Sequence, residues 1–236
     1  MKPYYEHAGI TIYHGDCLEI LPTLGPVDHV LTDPPFSSRT HSGHNASASG
    51  HDGFGRDGSA RQELGYSEWT MADVDASVPL FCGKSRGWVV VMTDHVLALP
   101  IQRAMESTGR YAFAPLPWYV PGSRVRLSGD GPSSWTVWIV VSRTGRQSKW
   151  GTLPGGYMQN GVRDRIGGKP EELMRALVND YSRHGNTVLD PFMGSGPTLV
   201  AAKRLGRKAI GIEIEERYCE IAAKRLAQET LPLECA

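Results

Sequence analysis

Trp88-Val89-Val90-Val91-Met92-Thr93 is an apolar run closed by its single hydroxyl. A surface helix would need a polar face, and a half-buried strand would alternate polar with apolar. An unbroken run of this kind suits a strand covered on both sides. Similar short runs recur along the chain. Ile10 to Asp16 reads as a strand ending in a turn, Val27 to Thr32 as a second strand, and Thr187 to Asp190 and Ala209 to Ile212 as two more. Trp135 to Val141 is a further strand, paired with the aromatic segment at Trp118-Tyr119. Helical stretches lie between them: Asp73 to Cys82, Pro100 to Thr108, Pro170 to Tyr181, Pro197 to Leu205 and Glu215 to Gln228. Proline opens several of these, where its missing N–H costs nothing. Strands and helices alternating at this spacing predict an α/β fold with a mostly parallel sheet and helices on both faces.

A length of 236 residues suits one such domain, spanning 1–236. No stretch of about 18 apolar residues is present, and the N-terminus lacks a signal-peptide pattern. Cys17, Cys82, Cys219 and Cys235 are scattered, which fits a reduced, cytoplasmic protein. Zero formal net charge argues against a general polycation while leaving room for a local basic face. Two segments break the rhythm. Ser37 to Gly65 is rich in Gly, Ser and His and reads as a long mobile loop; Ser142 to Gly168 is polar, Gly-rich and basic.

The Val27 to Thr32 run ends in Asp33-Pro34-Pro35-Phe36. Neither proline has an N–H to give, and each disfavours the α region for the residue before it. The chain must leave the strand as a stiff, extended turn. Such a turn would hold a carboxylate, a proline carbonyl and a ring at fixed positions, a fit for a planar aromatic amine. The same residues also serve as an ordinary rigid strand exit, and the turn by itself does not separate the two readings. A second motif, Asp190-Pro191-Phe192-Met193-Gly194-Ser195-Gly196-Pro197-Thr198, follows a strand and opens a helix. There glycines let backbone N–H groups and a helix N-terminus approach a ligand. The third glycine of the dinucleotide fingerprint is missing, and so is G-K-[ST]. Neither NAD nor a nucleoside triphosphate is therefore the first choice. Glu213 closes the next strand, well placed to accept from ribose hydroxyls.

With both motifs in view, the chain resembles the amino-methyltransferases that use S-adenosylmethionine (SAM). Asp33 to Phe36 is similar to their catalytic motif, and Asp190 to Gly196 to their F-x-G-x-G cofactor motif. The order, catalytic motif early and cofactor motif late, resembles the circularly permuted β class of DNA amino-methyltransferases, and the likeness covers nearly the whole chain. It implies a Rossmann-like fold with a seven-stranded sheet. It also implies cofactor contacts from Asp16, Cys17, Asp33, Lys169, Asp190, Phe192, Gly194, Ser195, Gly196, Thr198 and Glu213. Gly15-Asp16-Cys17 matches the family's G-D segment, whose acidic side chain meets the adenine amine of SAM; Lys169-Pro170 matches its K-P. Arg165-Ile166-Gly167-Gly168 departs from the family's usual His-Pro-Thr stretch, and Pro197 stands where Thr is common.

The resemblance further implies that both motifs share one crevice at the switch point of the sheet. An exocyclic base amine is a poor nucleophile because its lone pair is delocalised into the ring. Asp33 and the Pro34 carbonyl would accept its two hydrogen bonds, Pro35 would stiffen the turn, and Phe36 would stack on a base flipped out of the duplex. Proximity and orientation would supply most of the catalysis. For DNA contact, Gly122 to Lys169 carries eight basic residues (Arg124, Arg126, Arg143, Arg146, Lys149, Arg163, Arg165 and Lys169) against Asp130 and Asp164. That is a local positive excess suited to phosphates, with Trp150 and Tyr157 as stacking surfaces, although a solvated face needs no more than these residues either. Arg39 lies in the loop after the catalytic turn, which would close over the base or touch DNA. The stretch at 142–168 would serve target recognition; its shortness suggests a short site or a second subunit, a homodimer, sharing the task.

Methylation of adenine N6 in DNA is expected, because family members with Asp before Pro-Pro mostly act on adenine. N4-cytosine is the nearest alternative, followed by RNA adenine and an inactive nucleic-acid-binding module. Cytosine carbon-5 chemistry needs a Cys nucleophile, usually after Pro, and no Cys here follows Pro. His41, His44 and His51 lack a Cys or carboxylate framework, so no metal is expected. No attached nuclease is visible, so the chain reads as a stand-alone methylase of the restriction-modification kind.

Overall fold

A computed structural model describes residues 2–38, 40, 68–120, 135–145, 150–159 and 168–228. Nine strands are named among them, in the hydrogen-bonded order β1-β2-β9-β8-β3-β4-β7-β5, with β6 on β7. By contacts the chain divides into two compact units, one of residues 1–32, 84–89 and 160–236, the other of 33–83 and 90–159.

In the first unit, β1 (Tyr5–His7) pairs antiparallel with β2 (Ile10–His14) across a tight turn at Ala8 and Gly9, both with positive φ. The remaining registered pairs of this unit are parallel. β2 pairs with β9 (Lys208–Glu213), β9 with β8 (Thr187–Asp190), and β8 with β3 (His29–Thr32). Strands from the chain's end are thus inserted between strands from its beginning. The register of β3 on β8 is pinned from both ends. Asp28 accepts from the Thr187 N–H at 2.7 Å, and the Thr32 hydroxyl donates to Asp190 Oδ1 at 2.8 Å. Buried His29 adds a tie: its Nδ1 accepts from the Trp88 N–H at 3.0 Å, which puts the ring proton on Nε2, 3.1 Å from Asn186 Oδ1. A short helix α1 (Cys17–Ile20) runs into a 3-10 turn (Leu21–Thr23). The long helices are amphipathic and bury their apolar faces: Leu173, Met174, Leu177, Val178 and Tyr181 of one, Cys219, Ala222 and Leu226 of another.

The second unit contains α2 (Met71–Lys84, its last residue in the first unit), β4 (Trp88–Thr93) from Val90 onward, α3 (Ala98–Ser107), β5 (Tyr111–Ala112), β6 (Leu116–Val120) and β7 (Trp135–Arg143). β7 pairs antiparallel with β5 and with β6. Every residue of β4 is buried, as the apolar run requires. Buried Arg110 ties the unit together, its Nε donating to Ser142 Oγ at 3.1 Å and its Nη1 to the Cys82 carbonyl at 3.4 Å.

The remaining helices are α4 (Glu171–Tyr181), α5 (Pro197–Arg204) and α6 (Glu216–Ala227). The expected strands and helices form within a few residues of their anticipated ends. The strand count is corrected from seven to nine, because β1 and β5 are too short to show a period. No helix among the described residues is long and apolar enough to cross a membrane.

Candidate functional site

The residues singled out from the sequence fall into two groups, one in each unit. In the first unit, β8 and β9 end side by side in carboxylates. Asp190 is 2 % exposed, and its Oδ1 accepts from the Thr32 hydroxyl and from the Phe192 N–H at 3.1 Å. Its Oδ2 accepts from the Thr198 hydroxyl at 2.5 Å. The buried Asp190 and Thr198 side chains thus tie the end of β3, the glycine loop and α5 into one piece. Glu213 is half-buried and does similar service, accepting from the Gly194 N–H at 3.0 Å and the Glu215 N–H at 2.9 Å.

The loop from Pro191 to Gly196 is built on left-handed glycines, Gly194 at φ 51° and Gly196 at φ 78°. A Cβ on Gly196 would lie 2.9 Å from that of Ala222, and one on Gly211 only 2.4 Å from Met193 Sδ, so both need the bare backbone. Most of the loop's N–H groups turn inward. Phe192 donates to Asp190, Met193 to the Ile212 carbonyl at 3.1 Å, Gly194 to Glu213 and Gly196 to the Met193 carbonyl at 2.8 Å. This revises the expectation of N–H groups aimed at a ligand. A loop whose donors are engaged this way is a poor cradle for phosphate and fits a phosphate-free nucleoside better. Arg225 of α6, which no motif flags, holds the loop from behind, with Nη1 3.0 Å from the Ser195 carbonyl.

Asp16, half-buried, is the N-cap of α1, with Oδ1 accepting from the Leu18 N–H at 2.8 Å. That bond orients its carboxylate at the end of β2, whose neighbour β9 ends in Glu213. Cys17 is buried, its thiol pushed up to about 12 by burial and then by Asp16, which makes it a packing residue at neutral pH. Lys169 is buried just before α4. This unit therefore offers acceptors, acidic side chains at strand ends, beside a glycine loop without phosphate-binding character. It suits ribose hydroxyls and an adenine amine.

In the second unit, Pro34 is buried, while Asp33, Pro35 and Phe36 are half-buried. Residues 33–37 belong to no helix or strand. The Phe36 carbonyl accepts from the Trp69 N–H at 3.0 Å, and Trp69 stacks on Phe81 with ring centres 6.5 Å apart. Ser37 and Thr40 both reach Asp94. Asp33 follows Thr32 directly in the chain, so the turn begins one residue beyond the hydrogen bond to Asp190.

Of the basic residues assigned to DNA, Arg39, Arg124, Arg126, Arg146, Lys149, Arg163 and Arg165 lie outside the described residues, as do His41, His44 and His51. Arg143 is half-buried, its guanidinium 5.0 Å from the Tyr111 ring centre and 5.6 Å from that of Phe113. Tyr157 is corrected from a stacking surface to a core residue. It is 3 % exposed, and its backbone pairs with that of Pro117 and Tyr119. No group of side chains able to hold a metal ion is found among the described residues.

Residues 133–224 match the model of a family described as DNA methylase. The type II methyltransferase M2.DpnII of Streptococcus pneumoniae is 51% identical over 61 residues, which is 26% of this chain and 23% of that protein. M.HinfI of Haemophilus influenzae is 47% identical over 60 residues, 25% of this chain and 17% of that protein. Each alignment thus spans less than a quarter of the relative's own length. Among solved structures, the M1.HpyAVI–SAM complex superposes with a TM-score of 0.66 at 22% identity, covering 93% of this chain and 100% of that one. PvuII DNA methyltransferase (cytosine-N4-specific) gives 0.67 at 19% identity, covering 98% of this chain and 90% of that one. The fold is therefore that of these methyltransferases, and the family match takes in the segment from Asp190 to Thr198.

Proposed function

We propose that this chain is a SAM-dependent DNA methyltransferase acting on an exocyclic base amine, with adenine N6 as the acceptor. One observation carries the reading. The last residues of β3 and β8 are joined through the Thr32 hydroxyl and Asp190, and the two motifs leave the sheet from those residues. In this reading Glu213 accepts from the ribose hydroxyls, Asp16 from the adenine amine, and the Gly194–Gly196 loop lies against the nucleoside without a phosphate to hold. SAM, when bound, supplies an electrophilic methyl group.

The chain's own residues then prepare the acceptor. Asp33 and the Pro34 carbonyl accept the two amine hydrogens and favour a pyramidal nitrogen with its lone pair free. Phe36 stacks on the flipped base. Arg143 and the basic residues between 122 and 169 would contact phosphates. The cytosine-N4-specific structural neighbour supports a second reading, N4-cytosine, on the same site. Mass spectrometry of nucleosides from the DNA of a host expressing the protein separates the two. N6-methyladenine is expected; N4-methylcytosine would replace the base assignment, and neither product would sink the enzyme reading.

A further inference from the structure

Asp94 lies outside every motif that pointed to the function. It follows the last residue of β4, is 2 % exposed, and accepts five hydrogen bonds through its side chain. Its Oδ2 takes the Ser37 N–H at 3.0 Å, the Ser37 hydroxyl at 2.5 Å and the Thr40 hydroxyl at 2.6 Å. Its Oδ1 takes the N–H groups of Val96 at 3.0 Å and Leu97 at 3.1 Å, at the entry to α3. One buried carboxylate therefore fastens the segment after Phe36 to the junction of β4 and α3.

The Asp33–Phe36 turn needs an outside fastening. Pro34 and Pro35 have no N–H through which the middle of the turn could be held. A stiff segment of this kind is fixed by its ends. At one end it continues from β3; at the other, the Phe36 carbonyl accepts from Trp69 and Ser37 is held at both its N–H and its hydroxyl. We propose that Asp94 is a positioning residue for methyl transfer: by fixing Ser37 and Thr40 it sets where the Asp33 carboxylate and the Phe36 ring present the acceptor amine. This rests on the reading of that turn as the amine-holding element.

The chemistry asks for a carboxylate. Ionised, it offers about four lone-pair sites and no donor, and so serves donors on both sides. An amide of the same shape keeps one accepting oxygen and turns an NH₂ group toward N–H or O–H donors. The Ser37 and Thr40 hydroxyls can turn round to accept from that NH₂, but the backbone N–H of Ser37 on one side, or those of Val96 and Leu97 on the other, cannot and are left opposed.

The test uses the full chain and two variants. Asp94→Asn removes the hub. The double variant Ser37→Ala/Thr40→Val leaves Asp94 and its bonds to α3 intact and severs the turn-side hydroxyls alone, so it reads the proposal if the first variant folds poorly. In both, kcat for duplex DNA should fall by about a hundredfold, the usual cost of small misplacements of reacting groups. The calorimetric Kd for SAM should stay near that of the unaltered chain, and amide exchange at Ser37 and Thr40 should quicken. A kcat within about twofold of the unaltered chain in both variants, or a loss confined to SAM affinity, overturns the proposal. So does unchanged exchange at Ser37 in Asp94→Asn, the variant that disturbs the acceptor of its N–H. If the unaltered chain itself transfers no methyl group, the functional reading fails; the exchange data still decide whether Asp94 holds the turn.

Discussion

Asp33 and Asp94 are both half a turn of chemistry away from being ordinary structural acids, and what separates them is what they would face. Asp33 would face substrate, so Asp33→Ala should abolish methyl transfer while SAM binding, measured by calorimetry, is little changed. An active Asp33→Ala enzyme would refute the assignment. Among the described residues Asp94 faces protein donors, and its contribution is a matter of stability as well as placement. Burial pushes its carboxyl up, but hydrogen bonds from Ser37, Thr40 and the Leu97 N–H outweigh burial and hold it below the usual 3.8. A group depressed in the folded state adds stability above its unfolded value and loses it as pH falls through the folded one. The melting-temperature gap between the unaltered chain and Asp94→Asn should therefore be widest near neutral pH. It should close as the solution is acidified below the usual 3.8. A gap that stays constant to low pH would show that the carboxylate is not the source.

At the scale of elements, β1 and its turn show what pattern reading overlooks. A two-residue hairpin with positive φ at both positions normally announces itself as Asn-Gly or Asp-Gly. Here the first position is Ala8 at φ 50°, a residue that carries no turn signal and pays a strain for the conformation. Ala8→Gly should relieve that strain and raise stability by about 0.5–1 kcal/mol in urea denaturation; an unchanged or lower midpoint would show that the turn is not strained. The buried strands were legible because burial on both faces leaves an unbroken apolar run, as in β4, and the long helices because one face must be apolar, as in α4. The ends of β8 and β9 were legible because glycines and acids cluster there. Thr32, Arg225 and Asp94 were not: each acts through partners 158, 30 and 57 or fewer residues away, and no local pattern encodes such a partner. Asp94 alone left a trace, an acid just ahead of a helix, which is a capping signature.

For the molecule as a whole, ligand binding and stability are linked. A ligand that binds only the folded chain adds about 2.7 kcal/mol at a hundredfold excess over its Kd. SAM at that excess should therefore raise the melting temperature by about 5–11 °C, at the 2–4 °C per kcal/mol expected of a chain this size. NAD, which carries phosphates that the inward-turned N–H groups of the Gly194–Gly196 loop would leave unmet, should not. Equal shifts from both would refute the argument from the loop.

The insertion of β9 and β8 between β2 and β3 has a consequence for how the protein is made. β2 and β3 leave the ribosome early, yet the partners that cover their edges lie some 155 residues later, from Thr187 onward. At about 5–20 residues per second, translation leaves those apolar edges unpaired for roughly 8–30 seconds. Through that interval the nascent chain depends on chaperones, or on the slow closure of long loops, to stay out of aggregates. Its expression should be more sensitive to translation speed than its final fold would suggest.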